Sequence, residues 1–365
     1  MTLLLNEDQV MLQDAARGFC QQYAPVSQLR KLRDSKDETG FDKSVWQQMV
    51  DLGWTGMAIP EAYGGFGFGY HGLGIVLEES GRKLVCSPLI GTVLLGASAI
   101  NELGSEQQKQ DLLPAVVAGE VLLAFAVDET PIHRPHHTRT TATRSGNDYV
   151  INGSKCFVLD GHVANKIIVE ACTDDSDSNG VSLFLVDCRN CDNIEFSNVK
   201  VSSSARLGAT GIGAAGLDRI LDIGRIGLSA EMLGSVQEAF DRTIDYLKQR
   251  QQFGVPIGAF QGLQHRAATM YSEIELGRSL VRAALNALDD DNKTAAEIAE
   301  LASMAKAKLS EVFYLVSNEG IQMHGGIGMT DEFDIGFYLK RARVAQQYLG
   351  DASYHRDRIA TLNNF

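Results

Sequence analysis

Apolar residues recur at helical spacing throughout the C-terminal part of the chain. Ile226, Ala230, Leu233, Ala239 and Ile244, for example, follow the repeat of one helix face. Candidate helices cover residues 217–251, 258–289, 295–323, 333–347 and 351–362. The pattern therefore predicts a bundle of helices over residues 217–365.

Helical periodicity also dominates residues 1–120, where polar residues mark helix starts. The capping-box spacing, in which an N-cap residue and the residue three positions later cap each other, occurs at three places in the chain. The pairs are Asn6 with Gln9, Ser105 with Gln108 and Thr294 with Glu297. Asp42 is a further N-cap, before a helix that is expected to end at Gly53. These signals predict a helical N-terminal domain.

The hydrophobic pattern changes to short runs in the middle of the chain. Runs rich in Val, Ile, Phe and Thr cover residues 121–127, 140–145, 148–151, 156–158, 166–171 and 181–187, with turn residues between them. We predict an antiparallel β domain over residues 121–216, inserted between a helical domain at 1–120 and the bundle at 217–365. The predicted fold class is mainly α with an inserted β domain.

Composition and charge narrow the class of partner. The formal net charge of −13 disfavours nucleic acid and anionic membranes as main partners. No run reaches the roughly 18 apolar residues of a membrane span. The amino terminus has no basic n-region, so a cytoplasmic protein is expected.

Two motifs are expected to be coincidental. Cys188 and Cys191 have CxxC spacing, but no second ligand pair suits zinc, and the flanks predict strand and loop rather than a βαβ unit. Residues 211–216 match G-x-G-x-x-G without a buried strand before them. That context favours a flexible linker over a dinucleotide-binding loop.

Two segments at predicted helix ends carry the clearest candidate chemistry. They contain Arg250, Phe253 and Gln261 in the first, and Gln322, Gly325 and Gly326 in the second. Free N–H groups at helix ends bind anions, and an arginine adds fork-shaped donors. The segments predict a phosphate-bearing cofactor held between helices. A surface salt bridge for the arginine and a plain helix C-cap for the glycines are the alternatives.

Six segments in order resemble motifs of the acyl-CoA dehydrogenase family: residues 60–67, 151–155, 250–254 with Gln261, 322–330, 340–343 and 348–351. The resemblance covers essentially the whole chain. It implies α,β-dehydrogenation of an acyl-CoA substrate by FAD bound at a dimer interface, with electrons passed to an electron-transferring flavoprotein. It also implies cofactor roles, with Arg250, Phe253 and Gln261 reaching the FAD of a neighbouring subunit and Gln322, Gly325 and Gly326 lining its ADP portion.

The family resemblance implies a carboxylate base that removes the α-proton while the β-hydrogen leaves as hydride to the flavin. This chain has Leu349 at the usual position of that glutamate. At the position that a minority of members use, it has Gly224, followed by Arg225. We expect Arg225 and Leu349 to contact the substrate without acting as the base.

Two carboxylates remain as candidate bases. Glu231 lies two helical turns after Gly224 among small and apolar neighbours, and its alternative is an ion pair with Arg225 or Arg266. Asp351 lies two residues from the usual base position, and its alternative is to cap the last helix.

The predicted β domain also departs from the family pattern. Residues 128–137 replace a glycine-containing flavin loop, and Phe157 and Leu159 stand where the family often has Trp-x-Thr. Phe157 remains a candidate flavin contact. His133, His136 and His137 lie in this loop without the carboxylate or cysteine spacing of a metal site, so no metal is predicted.

Three functions therefore stay open. The chain is an FAD-dependent acyl-CoA dehydrogenase active as a homo-oligomer, or an FAD-clamping and catalytically incomplete subunit of a heteromer. The family's α2β2 members that act on bulky thioesters such as steroid side chains are of the second kind. A flavin monooxygenase or nitroalkane oxidase on the same scaffold is the third. A pocket lined by Glu231 and Leu349 would favour branched or polycyclic acyl groups in lipid or steroid catabolism.

Overall fold

A computed structural model describes residues 4–173, 180–188, 194–208 and 213–365. Helices come first along the chain: α1 (Glu7–Tyr23), α2 (Val26–Ser35), α3 (Lys43–Asp51), α4 (Gly69–Lys83), a π-helical segment (Leu89–Ala97), α5 (Ser98–Leu103) and α6 (Glu106–Val117). Strands follow: β1 (Leu123–Ala126), β2 (Thr141–Ser145), β3 (Asp148–Lys155), β4 (Lys166–Thr173), β5 (Val181–Asp187), β6 (Ile194–Ser202) and β7 (Arg206–Leu207). The last part contains α7 (Gly213–Gln249), a hairpin of β8 (Gln251–Gln252) and β9 (Val255–Pro256), α8 (Gln261–Leu288), α9 (Ala295–His324), α10 (Ile335–Gln347) and α11 (Ala352–Leu362). The predicted order of helices, β domain and helices is confirmed, and 62% of the chain is helical.

The helix starts predicted from local capping patterns are confirmed. Asn6, Ser105 and Thr294 each form a reciprocal capping box with the residue three positions later. Asp42 accepts hydrogen bonds from the N–H groups of Ser44 and Val45. Each cap satisfies N–H groups that the first helical turn leaves without partners.

The β domain is a mixed sheet rather than a purely antiparallel one. Among the described residues, β1–β7 form one sheet, in which β4 pairs antiparallel with β5 but parallel with β1 and with the start of β2. Parallel neighbours need a long connection, and residues 127–165 provide one between β1 and β4. The sheet has its own apolar core, in which Tyr149 and Phe184 pack with ring centroids 5.0 Å apart.

Several local predictions were wrong or fall outside the described residues. The predicted strand at 156–158 is irregular, because Phe157 takes a left-handed backbone with φ +53°. Gly213 and Gly216 lie in the first turn of α7, so the linker prediction is wrong for that part of the glycine motif. Residues 209–212 and Cys191 lie outside the described part of the chain.

The chain divides into two compact units. The first combines residues 1–35, 70–86 and 225–365, which contain α1, α2, most of α4, the larger part of α7 and α8–α11. The second combines residues 36–69 and 87–224, which contain the sheet, α3, α5, α6 and the π-helical segment. The domain boundaries proposed from the sequence at residues 120 and 216 stay a prediction. In the ranges that the structure covers, none of the helices has the length and apolarity that a bilayer crossing requires.

Candidate cofactor site and candidate base

A glycine turn follows the C-terminus of α9 and forms the first half of the candidate cofactor site. Gly325 has φ +65° and ψ −141°, a backbone conformation that residues other than glycine rarely adopt. A Cβ at Gly325 or Gly326 would meet nothing within 4 Å, so both glycines face open space. Gln322, one turn earlier, is exposed. The predicted helix C-cap exists, since the Gly325 N–H donates to the Gln322 carbonyl, but the open space beside it also admits a ligand.

A cluster of aromatic rings packs next to this turn. The buried His324 ring stacks on Tyr246 at 4.4 Å, and the edge of Phe333 packs against both rings at 5.7 and 6.1 Å. The His324 Nδ1–H donates to the Gly320 carbonyl at 2.6 Å. Burial lowers the pKa of His324, so the ring is neutral and packs as an apolar group.

The second half of the site is the hairpin that follows α7. Phe253 and Gly254, with φ +55° and +79°, form its two-residue turn, and the Phe253 side chain is 91% exposed. The Arg250 guanidinium is exposed and has no ion pair among the described residues, which does not support the surface salt bridge considered for it. Gln261, the first residue of α8, is also exposed.

The two halves lie at the same end of the helical unit. Tyr246 precedes Arg250 by one turn of α7, and its ring stacks on His324, which directly precedes Gly325. An unengaged guanidinium, a glycine turn facing open space and an exposed aromatic ring are therefore brought together. This donor set suits a phosphate-bearing group with an attached ring system.

The turn at Leu349 is buried and strained. Leu349 is 3% exposed with φ +60°, and Gly350 has φ +100°. The Leu349 carbonyl accepts hydrogen bonds from Arg225 Nε at 3.3 Å and from His355 Nε2 at 3.1 Å. Lys306 Nζ donates to the Gly350 carbonyl at 2.7 Å. Three buried basic side chains thus hold the turn that the sequence resemblance aligns with the family's usual base position.

Arg225 is completely buried in this chain. Besides Leu349, its guanidinium donates to the Tyr354 hydroxyl at 3.2 Å and lies 5.5 Å from the centre of that ring. The predicted substrate contacts of Arg225 and Leu349 stay predictions.

Lys306 makes the stability of the protein depend on pH. Burial and the neighbouring Arg225 lower the pKa of Lys306 to about 7, from 10.5 in an unperturbed lysine. Between these values the unfolded chain binds more protons than the folded one, so the free energy of unfolding rises with pH across this window. We expect the Lys306→Met variant to lose this rise in urea denaturation curves recorded between pH 7 and 9.5. If the free energy of unfolding rises equally with pH in both proteins, Lys306 is not the group responsible.

Glu231 is held in an ion pair, although with neither of the arginines expected. Arg341 donates from Nε to Oε1 at 2.9 Å and from Nη2 to Oε2 at 2.5 Å. Arg266 pairs instead with Glu319. The Glu231 side chain is 11% exposed, and both its oxygens face the guanidinium. Its catalytic role stays a prediction, while the ion pair supports the structural alternative.

Asp351 caps the last helix, as its alternative role required. Its Oδ1 accepts a hydrogen bond from the Tyr354 N–H at 2.8 Å, at the first turn of α11. A carboxylate that accepts this hydrogen bond stabilises the helix, and use of Asp351 as a base would weaken the cap.

The loop between β1 and β2 is fixed by charged side chains. The fully buried Lys155 donates to the Val127 carbonyl at 2.8 Å, to Glu129 at 3.1 Å and to Thr138 at 2.8 Å. Although burial opposes it, hydrogen bonds from Thr138 and Thr140 lower the pKa of Glu129 to about 2. Phe157, two residues after Lys155, is 64% exposed and stays a candidate flavin contact.

The histidines of this loop have carboxylate neighbours that the sequence did not indicate. His133 Nδ1 lies 2.9 Å from Asp128 Oδ1, and His136 Nε2 lies 3.1 Å from Asp218 Oδ1. Within the ranges that the structure describes, no group of three potential metal ligands occurs.

Sequence reasoning missed Lys306 and the aromatic support of the glycine turn. Lys306 could have been noticed, because it interrupts the apolar stripe formed by Ala302, Ala305 and Leu309 on α9. No sequence spacing connects Tyr246 with His324 or Glu231 with Arg341, since each pair is joined only by tertiary packing.

Comparison with known proteins identifies the family. Models of the N-terminal, middle and C-terminal domains of acyl-CoA dehydrogenase match residues 6–120, 134–216 and 211–362. The chain is 31% identical to the mitochondrial short/branched chain specific acyl-CoA dehydrogenase of Bos taurus, covering 97% of this chain and 85% of that protein. It is 28% identical to the caffeyl-CoA reductase-Etf complex subunit CarC of Acetobacterium woodii, with 95% and 96% covered.

A solved structure agrees with this identification. The Tcur3481-Tcur3483 steroid ACAD variant superimposes with a TM-score of 0.88 at 31% identity, covering 100% of this chain and 99% of that one. The resemblance inferred from the sequence motifs is confirmed. The chain belongs to the acyl-CoA dehydrogenase family and is an FAD-dependent oxidoreductase.

Proposed function

We propose that this protein catalyses the α,β-dehydrogenation of an acyl-CoA thioester and passes the electrons to an electron-transferring flavoprotein. The observation that carries the cofactor part is the convergence of the unengaged Arg250 with the glycine turn at Gly325, joined through Tyr246 and His324. When bound, FAD accepts the hydride that leaves the β-carbon of the substrate. The chain's own residues must hold the cofactor and remove the α-proton.

The cofactor-holding residues divide by chemistry. Arg250 supplies charged donors for the pyrophosphate, and Gln322 with Gly325 and Gly326 receives the rest of the ADP portion. The list is completed by Phe253 and Gln261 on the hairpin side and by Phe157 on the β domain. The exposure of Arg250, Phe253, Gln322 and Gln261 in this chain supports a site that a second subunit completes.

We propose Glu231 as the base, ahead of Asp351. Asp351 is engaged as the cap of α11, whereas Glu231 is nearly buried and oriented by a single guanidinium. A carboxylate in a water-poor site, fixed in direction by Arg341, is suited to take a proton from a carbon acid. Arg341 contacts both carboxylate oxygens of Glu231 and so fixes the orientation of this side chain.

A half-site in a heteromer is the second candidate function, and Leu349 favours it. The turn that aligns with the family's usual base position is buried, but its residue there is a leucine, which cannot accept a proton. The similarity to a steroid ACAD supports a bulky acyl group, and the similarity to a subunit of an Etf complex supports the electron acceptor.

Titration of the apoprotein with FAD tests the cofactor assignment. Arg250→Gln removes charge-assisted hydrogen bonds worth about 1.5–3 kcal/mol, so the Kd for FAD should rise roughly 10- to 150-fold. Arg356→Gln is the matched control, because Arg356 is an exposed arginine paired with Glu311 on the surface. An Arg250→Gln protein that binds FAD as tightly as the control would contradict the assignment.

Anaerobic mixing of the FAD-loaded chain with a panel of acyl-CoAs separates the two candidate functions. Bleaching of the flavin absorbance by the chain alone is the result expected for a complete enzyme. FAD binding without reduction by any acyl-CoA, relieved by adding a second family member from a neighbouring gene, would establish the half-site.

A further inference from the structure

Two arginines of helix α2 bind the segment that directly follows the glycine turn. Arg30 Nη1 donates to the Asp331 carbonyl at 2.5 Å and to its Oδ2 at 2.9 Å, while Nη2 donates to Asp334 Oδ1 at 2.9 Å. Arg33 binds both carboxylate oxygens of Asp331, at 2.6 and 2.7 Å. Three hundred residues of chain separate the two sides of this contact.

An aromatic ring and a third arginine complete the arrangement. The guanidinium groups of Arg30 and Arg33 lie 4.8 and 5.1 Å from the centre of the Phe337 ring. Arg242 of α7 reaches the other Asp334 oxygen at 3.2 Å. We call Arg30, Arg33, Asp331, Asp334 and Phe337 the α2 clasp.

The α2 clasp differs from an ordinary surface ion pair. Single exposed pairs contribute little, but bidentate geometry and networks of several charges are the recognised exceptions. The hydrogen bond from Arg33 lowers the pKa of Asp331 to about 2, so the carboxylate is charged at any physiological pH. Asp331 therefore stays available as a charged acceptor for both arginines, although its side chain is 61% exposed.

The clasp lies where the glycine turn of the candidate cofactor site ends. The segment from Gly325 to Thr330 is preceded by the stacked His324 and followed by Asp331, which the clasp arginines bind. Between these anchors only Gly328 is buried, and the other residues have exposed or partly exposed side chains or backbone. A ligand-binding turn needs supporting residues that hold its shape, and the clasp supplies such contacts where this turn ends.

We propose that Arg30 and Arg33 are positioning residues for the cofactor, and that they hold the turn from Gly325 to Thr330 in the shape that receives its phosphate-bearing portion. The inference rests on the proposed cofactor role of this turn. It extends the set of residues that serve cofactor binding to a helix at the opposite end of the sequence.

The test is the FAD affinity of the Arg30→Gln/Arg33→Gln double variant, measured by titration of the apoprotein. We expect the Kd to rise about tenfold, the size typical of residues that act through their neighbours. Amide hydrogen exchange of residues 325–330 should become faster. High salt should weaken FAD binding to the wild type more than to the double variant, because salt screens the clasp.

Arg17→Gln is the matched control. Arg17 lies on α1 and donates to the buried Glu79 at 2.9 and 3.2 Å, so its loss breaks another two-bond arginine–carboxylate pair, away from the turn. This variant should lose stability and keep the Kd for FAD. Arg33→Lys keeps the charge but loses the forked donors of the guanidinium, so its Kd for FAD should lie between those of the wild type and the double variant. This milder variant also provides a test if the double variant does not fold.

The possible failures are distinguishable. If Arg250→Gln weakens FAD binding while the clasp variants bind FAD normally, the clasp serves stability alone and the positioning proposal is wrong. If neither Arg250→Gln nor the clasp variants change the Kd, the cofactor assignment itself fails. An equal loss of affinity in Arg17→Gln would also overturn the proposal, because the effect would then be one of general stability.

Discussion

Gly234→Ala should destabilise the protein by about 3 kcal/mol or more, the upper end of the range for overpacked cores. Helices α4 and α7 cross at two glycines. A Cβ at Gly234 would lie 1.7 Å from the Glu78 carbonyl oxygen, and one at Gly81 would lie 2.0 Å from the Glu231 carbonyl oxygen. The obstructing atoms are backbone, so the helices would have to separate, and the Ser235 hydroxyl would lose its 2.9 Å hydrogen bond to the Gly81 carbonyl.

Urea denaturation of the variant measures this effect, and Gly18→Ala provides a control of opposite sign. Gly18 lies on the exposed side of α1, where an added Cβ meets nothing within 4 Å. Alanine there should raise the free energy of unfolding by roughly 0.5–1 kcal/mol through helix propensity. A Gly234→Ala protein with the wild-type unfolding midpoint would show that the crossing can relax without cost.

The Glu231→Gln variant should reduce its bound flavin about 10²- to 10⁴-fold more slowly when mixed with an acyl-CoA, the usual loss on removing a general base. The amide keeps the shape of the side chain but cannot take the α-proton. Stopped-flow measurement of flavin bleaching in the absence of oxygen reports this step directly. Full activity in the variant would exclude Glu231 as the base.

Arg341→Gln separates the catalytic from the structural role of Glu231. Both variants break the same ion pair, so the free energy of unfolding should fall in both, and further in Arg341→Gln, which leaves the less exposed Glu231 carboxylate without this partner. Only Glu231→Gln removes the proposed base, so its flavin reduction should be much the slower. Equal rates in the two variants would assign Glu231 to structure alone.

Signals confined to a few neighbouring residues were read correctly from the sequence. The caps at Asn6, Ser105 and Thr294 depend on side chains three positions apart, and the structure has them where they were predicted. The long helices of the C-terminal part were recognised because their apolar repeat persists over many turns. These elements are specified mainly by their own residues.

Elements that depend on contacts with other parts of the fold were not predicted from the sequence. Helix α2 buries only Val26, and the α2 clasp, rather than an apolar face, connects it to the rest of its unit. Strand β6 buries Ile194, Phe196 and Val201 among polar residues, a pattern too irregular to predict a strand.

The candidate site was predictable as far as its motifs reach. Arg250 and Gly325 were identified because anion binding demands particular residue types, and the structure places their two segments at one end of the helical unit. The left-handed backbone of Leu349 was not predictable, since leucine rarely adopts it and the side chains that bind this turn, Arg225, Lys306 and His355, are distant in sequence or lie beyond it. The partner of Glu231 is likewise a product of the folded chain.

The discontinuity of the first unit dictates the order in which the protein folds during synthesis. Residues 1–35 and 70–86 leave the ribosome long before residues 225–365, which complete their unit, whereas the second unit is complete at residue 224. Because units fold as they become complete, we expect the sheet to form first, while α4 still lacks the later helices of its own unit. A growing chain therefore carries α1, α2 and most of α4 without the helices that complete their unit until residues 225–365 have been made.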